Sequence, residues 1–219
     1  IIGEALARLG SFDRAVPILE RALASGREMG ATGHRAYTLA TLGMALRGAG
    51  EHDEAERVFA DAVETARTRR QAEWLRYALF PWTRILLEEG RLVQAELCAR
   101  ELVESVEQAT APTTLLAARA LLARVLLAAG NLGEAVGHAE LACRAIETPS
   151  DGRLALVAAL DTAVECATVL RAGGREEDAE TVWVMGATTL NQLATSIPDP
   201  TIRAGLLALP SSRALTGAG

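Results

Sequence analysis

Leu42-Gly43-Met44-Ala45-Leu46-Arg47-Gly48-Ala49-Gly50-Glu51-His52-Asp53-Glu54-Ala55-Glu56-Arg57-Val58-Phe59 reads as the end of one helix, a tight turn and the start of another. Leu39, Leu42, Ala45 and Leu46 recur at the three- and four-residue intervals that line one face of an amphipathic helix. Gly50 stops that helix, because a residue without Cβ takes the left-handed backbone of a helix end at little cost. Asp53 and Glu54 follow, where carboxylates favour the positive end of a new helix. Ala55 lets the paired helix come close, and Phe59, one turn on, fills the space between the two.

The same order of residues returns along the chain. Gly10 is followed five residues later by Ala15, Gly50 by Ala55, Gly90 by Ala95, Gly130 by Ala135 and Gly174 by Ala179, at spacings of 40, 40, 40 and 44 residues. Seven residues before each glycine stands a small side chain (Gly3, Gly43, Thr83, Ala123, Ala167), and four before it an apolar one (Leu6, Leu46, Leu86, Leu126, Leu170). Four after each alanine come Leu19, Phe59, Ala99, Ala139 and Trp183; three further come Ala22, Ala62, Leu102, Ala142 and Gly186. A single helix pair cannot bury such a face alone, so the repeats must stack.

The pattern predicts an all-α chain, an α-solenoid of tandem antiparallel helix pairs. Five repeats are expected over about 1–34, 35–71, 72–112, 113–150 and 151–195, followed by a short capping helix and a frayed tail within 196–219. Breakers at 26–33, at 108–114 with Pro112, and at 148–152 with Pro149 separate the repeats, and 67–71 is a boundary without Gly or Pro. Pro81 falls inside a predicted helix, where its missing N–H predicts a kink. Pro200 suits a first helical turn, with Ile202, Leu206, Leu207 and Leu209 expected to face the last repeat. The first repeat lacks most of its first helix and the chain has no initiator Met, as expected of a piece of a longer protein.

Composition agrees. Half the residues are hydrophobic, Ala (43) and Leu (32) dominate, and aromatics are 4%, which favours helix over sheet. The net charge of −6 argues against a nucleic-acid-binding protein. All 22 basic residues are Arg. The absence of Lys removes the phosphate-loop motif Gly-x-x-x-x-Gly-Lys. Cys98, Cys143 and Cys166 are too far apart in sequence for a zinc ribbon. His34, His52 and His138 share no metal-ligand spacing, and adjacent acids such as Glu88-Glu89 and Glu176-Glu177-Asp178 point in different directions on a helix. No nucleophile elbow is present. The expectation is therefore no catalytic residue, no metal and no cofactor. Arg residues interrupt the apolar stretch 115–129, so no membrane span is expected.

Leu42-Gly43, Leu46, Ala55 and Phe59, and likewise Ile2-Gly3, Leu6, Ala15 and Leu19, resemble the signature of the tetratricopeptide repeat. That resemblance covers roughly 1–190 and implies a right-handed superhelix. The period exceeds the family's usual 34 residues. It looks like the long repeats of bacterial LuxR-type transcription regulators, antibiotic regulatory proteins and cyclase-linked ATPases, in which a nucleotide-binding domain precedes the repeats. The resemblance implies a cytoplasmic, non-catalytic scaffold that binds a protein or peptide segment, or a neighbouring domain of the same chain. A sensor of a small peptide or metabolite is the alternative, and a helical-repeat enzyme a third.

In such arrays the first helices line the concave side. Repeat-to-repeat alignment places Met44, Arg84, Arg124 and Thr168 there, with Tyr37, Tyr77, Ala117 and Asp161 two turns earlier on the same face. Phe80 lies between Tyr77 and Arg84, and Arg47 and Arg171 extend the stripe. Tyr37, Met44, Arg47, Tyr77, Phe80, Arg84, Arg124 and Arg171 are thus the expected partner-binding residues, Tyr and Arg being favoured at binding hot spots. For Trp74, Phe80 and Trp82 the sequence leaves core and binding surface both open. Arg67, Arg69, Arg70 and Arg76 form a basic cluster, read as a solvated join with a phosphate-binding patch as the alternative. The Lys and Asn residues with which some co-chaperone members clamp a terminal carboxylate have no counterpart, since Asn131 and Asn191 lie elsewhere.

Overall fold

The computed structural model describes residues 2–8, 11–31, 33–109, 112–143 and 153–217. Those residues form helices joined by turns, without a strand, in two compact units. The first unit, Ile1–Glu89, holds α1 (Ile2–Arg8), α2 (Phe12–Glu28), α3 (Arg35–Gly48), α4 (His52–Thr68) and α5 (Ala72–Glu88). The second, Gly90–Gly219, holds α6 (Leu92–Gln108), α7 (Pro112–Ala128), α8 (Leu132–Cys143), α9 (Arg153–Ala172), α10 (Glu176–Ser196), α11 (Pro200–Leu207) and α12 (Pro210–Thr216). Within each unit consecutive helices pack side by side, and alternate ones also touch: α1 with α3, α3 with α5, and α7 with α9.

The repeated residues hold equivalent places. Ala15, Ala55, Ala95, Ala135 and Ala179 are each the fourth residue of their helix and are buried. Each donates its N–H to the carbonyl of the residue just before that helix, at 2.9–3.1 Å. The small mid-helix positions Gly3, Gly43, Thr83, Ala123 and Ala167 are all buried. Gly50, Gly130 and Gly174 take the left-handed backbone (φ 87°, 83° and 74°). The next residue's N–H then reaches back to Leu46, Leu126 and Leu170 at 2.9 Å, the closing bond of a Schellman turn. Gly10 lies outside the described residues.

The α4–α5 turn makes the same bond, Gln71 N–H to Ala66 C=O at 2.9 Å, with Arg70 in the glycine's place at φ 52°. A Cβ there costs about 1–2 kcal/mol. Arg70→Gly should therefore raise stability by about 0.5–1 kcal/mol after the glycine's larger unfolded-state entropy. The check is an upward shift of the urea midpoint at unchanged slope. A downward shift would show that the arginine's side chain outweighs its backbone strain.

α5 continues through Pro81, and α2 contains a second internal proline, Pro17, which the sequence reading did not single out. The basis for tolerance is packing, since Ala78, Leu79, Trp82, Ile85 and Leu86 around Pro81 are buried. Surface ion pairs link neighbouring helices: Arg35 to Asp61 at 2.6 Å, Arg119 to Glu107 at 2.8 Å, and Arg175 to Glu140. Exposed pairs of this kind contribute little stability and mainly fix register.

The end of the chain differs from a single capping helix. Leu206 and Leu215 join Leu160, Leu190 and Leu193 in one apolar cluster, and Leu209 packs against it. Leu207 is 40% exposed, because α11 is short and presents Leu206 inward instead. The side chain of Ile202 lies outside the described residues. A further helix, α12, packs on α9 and α10 and runs to Thr216. Pro210 occupies its first turn and Gly217 its left-handed end (φ 68°).

Candidate functional site

In the first unit α1, α3 and α5 lie in contact order, and their shared face gathers aromatic side chains. Tyr37 of α3 meets Tyr77 of α5 with ring centroids 5.0 Å apart, and Trp74 of α5 at 4.9 Å. Trp74 and Tyr77 are edge-on at 6.4 Å, and His34, at the cap of α3, meets Trp74 at 5.8 Å. These tilted geometries are those aromatic quadrupoles favour. The Tyr37 hydroxyl donates to the Glu4 carboxylate of α1, tying the first helix to the cluster. The Tyr77 hydroxyl is buried and has no hydrogen-bond partner among the described residues. Leaving such a group unpaired costs about 1–3 kcal/mol.

Sequence alignment of the repeats brings Tyr37 and Tyr77 together as expected of equivalent positions. It missed Glu4 and His34 as members of the cluster, and it left Trp74 open between core and binding surface. The signal was present: His34 and Trp74 are 40 residues apart, as are Tyr37 and Tyr77, and each precedes its tyrosine by one helical turn. Trp82 belongs to the core, 7% exposed and stacked on Phe59 at 5.7 Å. Phe80, Met44 and Arg84 are half-buried.

Arg47 is committed within the unit. Its guanidinium pairs with Glu88, lies 3.4 Å from Glu89, and contacts His52 Nδ1 at 3.3 Å, so it ties the end of α3 to the end of α5. In the second unit Arg171 is held similarly. It pairs with Glu176 at 3.0 Å and Glu180 at 3.9 Å, and lies 5.7 Å from the Trp183 ring centroid. Both arginines thus act in helix-to-helix ties. Arg124 is half-buried on α7 of that unit.

The other titratable clusters are structural. Arg100 forms a two-pronged pair with Glu134 (2.7 and 2.9 Å) and a pair with Glu96. The Arg100 hydrogen bond holds the Glu134 carboxyl below its ordinary range. His138 Nε2 is 3.7 Å from Glu134, and its Nδ1 is buried without a partner among the described residues. Burial pulls the His138 pKa below its ordinary 6.5, outweighing the pull of Glu134. The unfolded chain therefore takes up this proton first, so His138's contribution is full above pH 6.5 and declines on acidification. Cys166, buried on α9, is hydrogen-bonded to Cys143 of α8, and that bond and burial push its thiol pKa up. Sequence spacing gave no hint of this pair, because it arises only when α8 and α9 pack. Among the described residues no His, Cys, Asp or Glu cluster could hold a metal, and no helix is long and apolar enough to cross a membrane.

Comparison with known proteins agrees with this architecture. Residues 2–68 and 116–141 each match a tetratricopeptide-repeat family model. These two stretches are similar to tetratricopeptide repeats, and the fold is similar to that of solved TPR-like structures. A protein described as a kinesin light chain with nearly identical TPR-like repeats, from Podosopora anserina, is 18% identical with a TM-score of 0.64, over 90% of this chain and 94% of that one. BtubC from P. vanneervenii is 14% identical with a TM-score of 0.69, over 90% and 80%. A double mutant of MamA from RS-1 is 15% identical with a TM-score of 0.58, over 89% and 93%. A search of curated proteins gives no match.

Proposed function

We propose that this chain is a non-catalytic protein-interaction scaffold that receives a partner's peptide segment, or a neighbouring domain, on the face formed by α1, α3 and α5. The observation that carries the reading is the half-buried aromatic cluster of Tyr37, Trp74 and Tyr77. Rigid aromatics offer large contact area at small entropic cost. Arg84, one residue past the Thr83 position on α5, adds positive charge on the helix face that carries Tyr77. The 40-residue period supports the finer reading, the helical-repeat region of a larger bacterial transcription regulator or signalling ATPase.

The test is a displayed-peptide selection against the wild type, followed by affinity measurement on Tyr77→Ala and on Tyr77→Ala/Arg84→Ala. Loss of at least about tenfold, 1.4 kcal/mol, is expected for the double variant. Unchanged affinity in a folded double variant would remove the site assignment. Sequencing upstream of Ile1 tests the wider context: a nucleotide-binding domain is the expected neighbour.

A further inference from the structure

The first unit departs from its own repeat at one place. α2 and α3 are joined by the six residues 29–34, whereas 69–71 suffice between α4 and α5. Beside the long connection Ala22 is exposed, although its equivalents Ala62, Leu102, Ala142 and Gly186 are all buried. Where the next helix would close over Ala22 there is instead a pocket of about 320 Å³. Ala22 and Leu23 of α2 form an apolar part of its wall. Arg27 of α2, His34 and Arg35 at the start of α3, and Arg69 at the end of α4 also line it, and none of the lining residues is acidic. Arg35 in addition holds Asp61 at 2.6 Å, which fixes its position.

We propose that this pocket binds a phosphoryl group. Three arginines and a histidine from three helices line one small volume in a chain whose net charge is −6, and Arg35 shares its charge there with Asp61. Arginine forks suit a group with several acceptor oxygens. A phosphate monoester has three such oxygens and about two charges at neutral pH, whereas a single carboxylate occupies one fork. The small apolar wall accommodates only a short body behind the phosphoryl group. The phosphoryl group could be carried by a small molecule or by a phosphorylated side chain of a partner, and the same pocket chemistry serves both. Arg69 belongs to the basic cluster that sequence alone left as a solvated join. The fold adds Arg27, which lies 42 residues earlier in the chain. This pocket does not depend on the Tyr77 face: of its lining residues only His34 also belongs to the aromatic cluster, through Trp74.

The experiment titrates the full chain with inorganic phosphate, a phosphoserine peptide, its unphosphorylated form and succinate, by calorimetry at constant ionic strength. Saturable binding of phosphate is expected, weakened at least tenfold in Arg27→Gln/Arg69→Gln and retained in Val93→Ala, at a 76% exposed position outside the pocket. A phosphopeptide binding at least tenfold tighter than phosphate assigns a partner side chain as the source; equal binding assigns a small molecule. If the double variant loses its helical circular dichroism, Arg27→Glu alone, at an exposed position, serves in its place and should likewise abolish binding. The proposal is overturned if phosphate does not saturate, if succinate binds as tightly, or if charge removal in a folded variant leaves affinity unchanged.

Discussion

Phe59→Ala should destabilise the first unit by about 3–5 kcal/mol. Phe59 is fully buried in α4, beneath Gly43 of α3 and against the Trp82 ring of α5. Its ring therefore serves two contacts at once: it fills the α3–α4 pair and joins that pair to the next helix. Truncation removes the apolar burial, leaves a cavity, and forfeits a stacked aromatic contact worth about 0.5–1.5 kcal/mol. The flanking residues Val58 and Val63 are already packed, so collapse around the gap is limited. Urea unfolding followed by circular dichroism measures the effect, with Val93→Ala, at a 76% exposed position, as the near-neutral control. A loss below about 1 kcal/mol would mean that the ring does not lock these helices together.

Gly43→Val should cost about 3 kcal/mol, the upper end for overpacking a close-packed core. A Cβ at residue 43 would stand 2.8 Å from Cδ2 and Cε2 of Phe59 and 3.0 Å from Cγ. Those atoms belong to the body of a ring already held by Trp82, so the ring cannot swing aside as a flexible chain end could. Gly43→Ala is milder, since alanine regains about 1 kcal/mol of helix propensity. The steric origin has a direct signature. Phe59→Leu should rescue part of the Gly43→Ala loss, giving a non-additive double-mutant cycle. Gly137→Ala provides the opposite case: it is exposed within α8 with nothing near its Cβ, and should stabilise by about 0.5–1 kcal/mol. Destabilisation of equal size at both glycines would point to backbone conformation rather than the Phe59 contact.

The repeat determined where helices begin and end and which residues face inward. Its alanines, its small mid-helix residues and its left-handed glycines mark local events, in which a few adjacent residues decide a turn or a close approach. Gly43 and Phe59 show this well: each is legible from spacing, and each occupies the place that spacing implies. The candidate site was legible only in part. Tyr37 and Tyr77 share a repeat position and so were paired in advance, but Trp74 and Trp82, both aromatic and on one helix, separated only on packing, one to the surface cluster and one beneath it. Arg47 and Arg171 were expected on the binding stripe, yet their reach of several bonds lets carboxylates of other helices capture them.

The sequence by itself, then, determined the helix pairs and their buried faces, because those follow from the periodicity of side chains along one helix and from the backbone freedom of glycine. Only the tertiary structure decided the rest: the thiol pair of Cys143 and Cys166, the second closing helix α12, and the pocket lined by both Arg27 and Arg69. Each of these depends on which residues far apart in the chain are brought together, and on gaps left where one connection is longer than its counterparts. Distances of that kind are set by packing between helices, which no single stretch of sequence encodes.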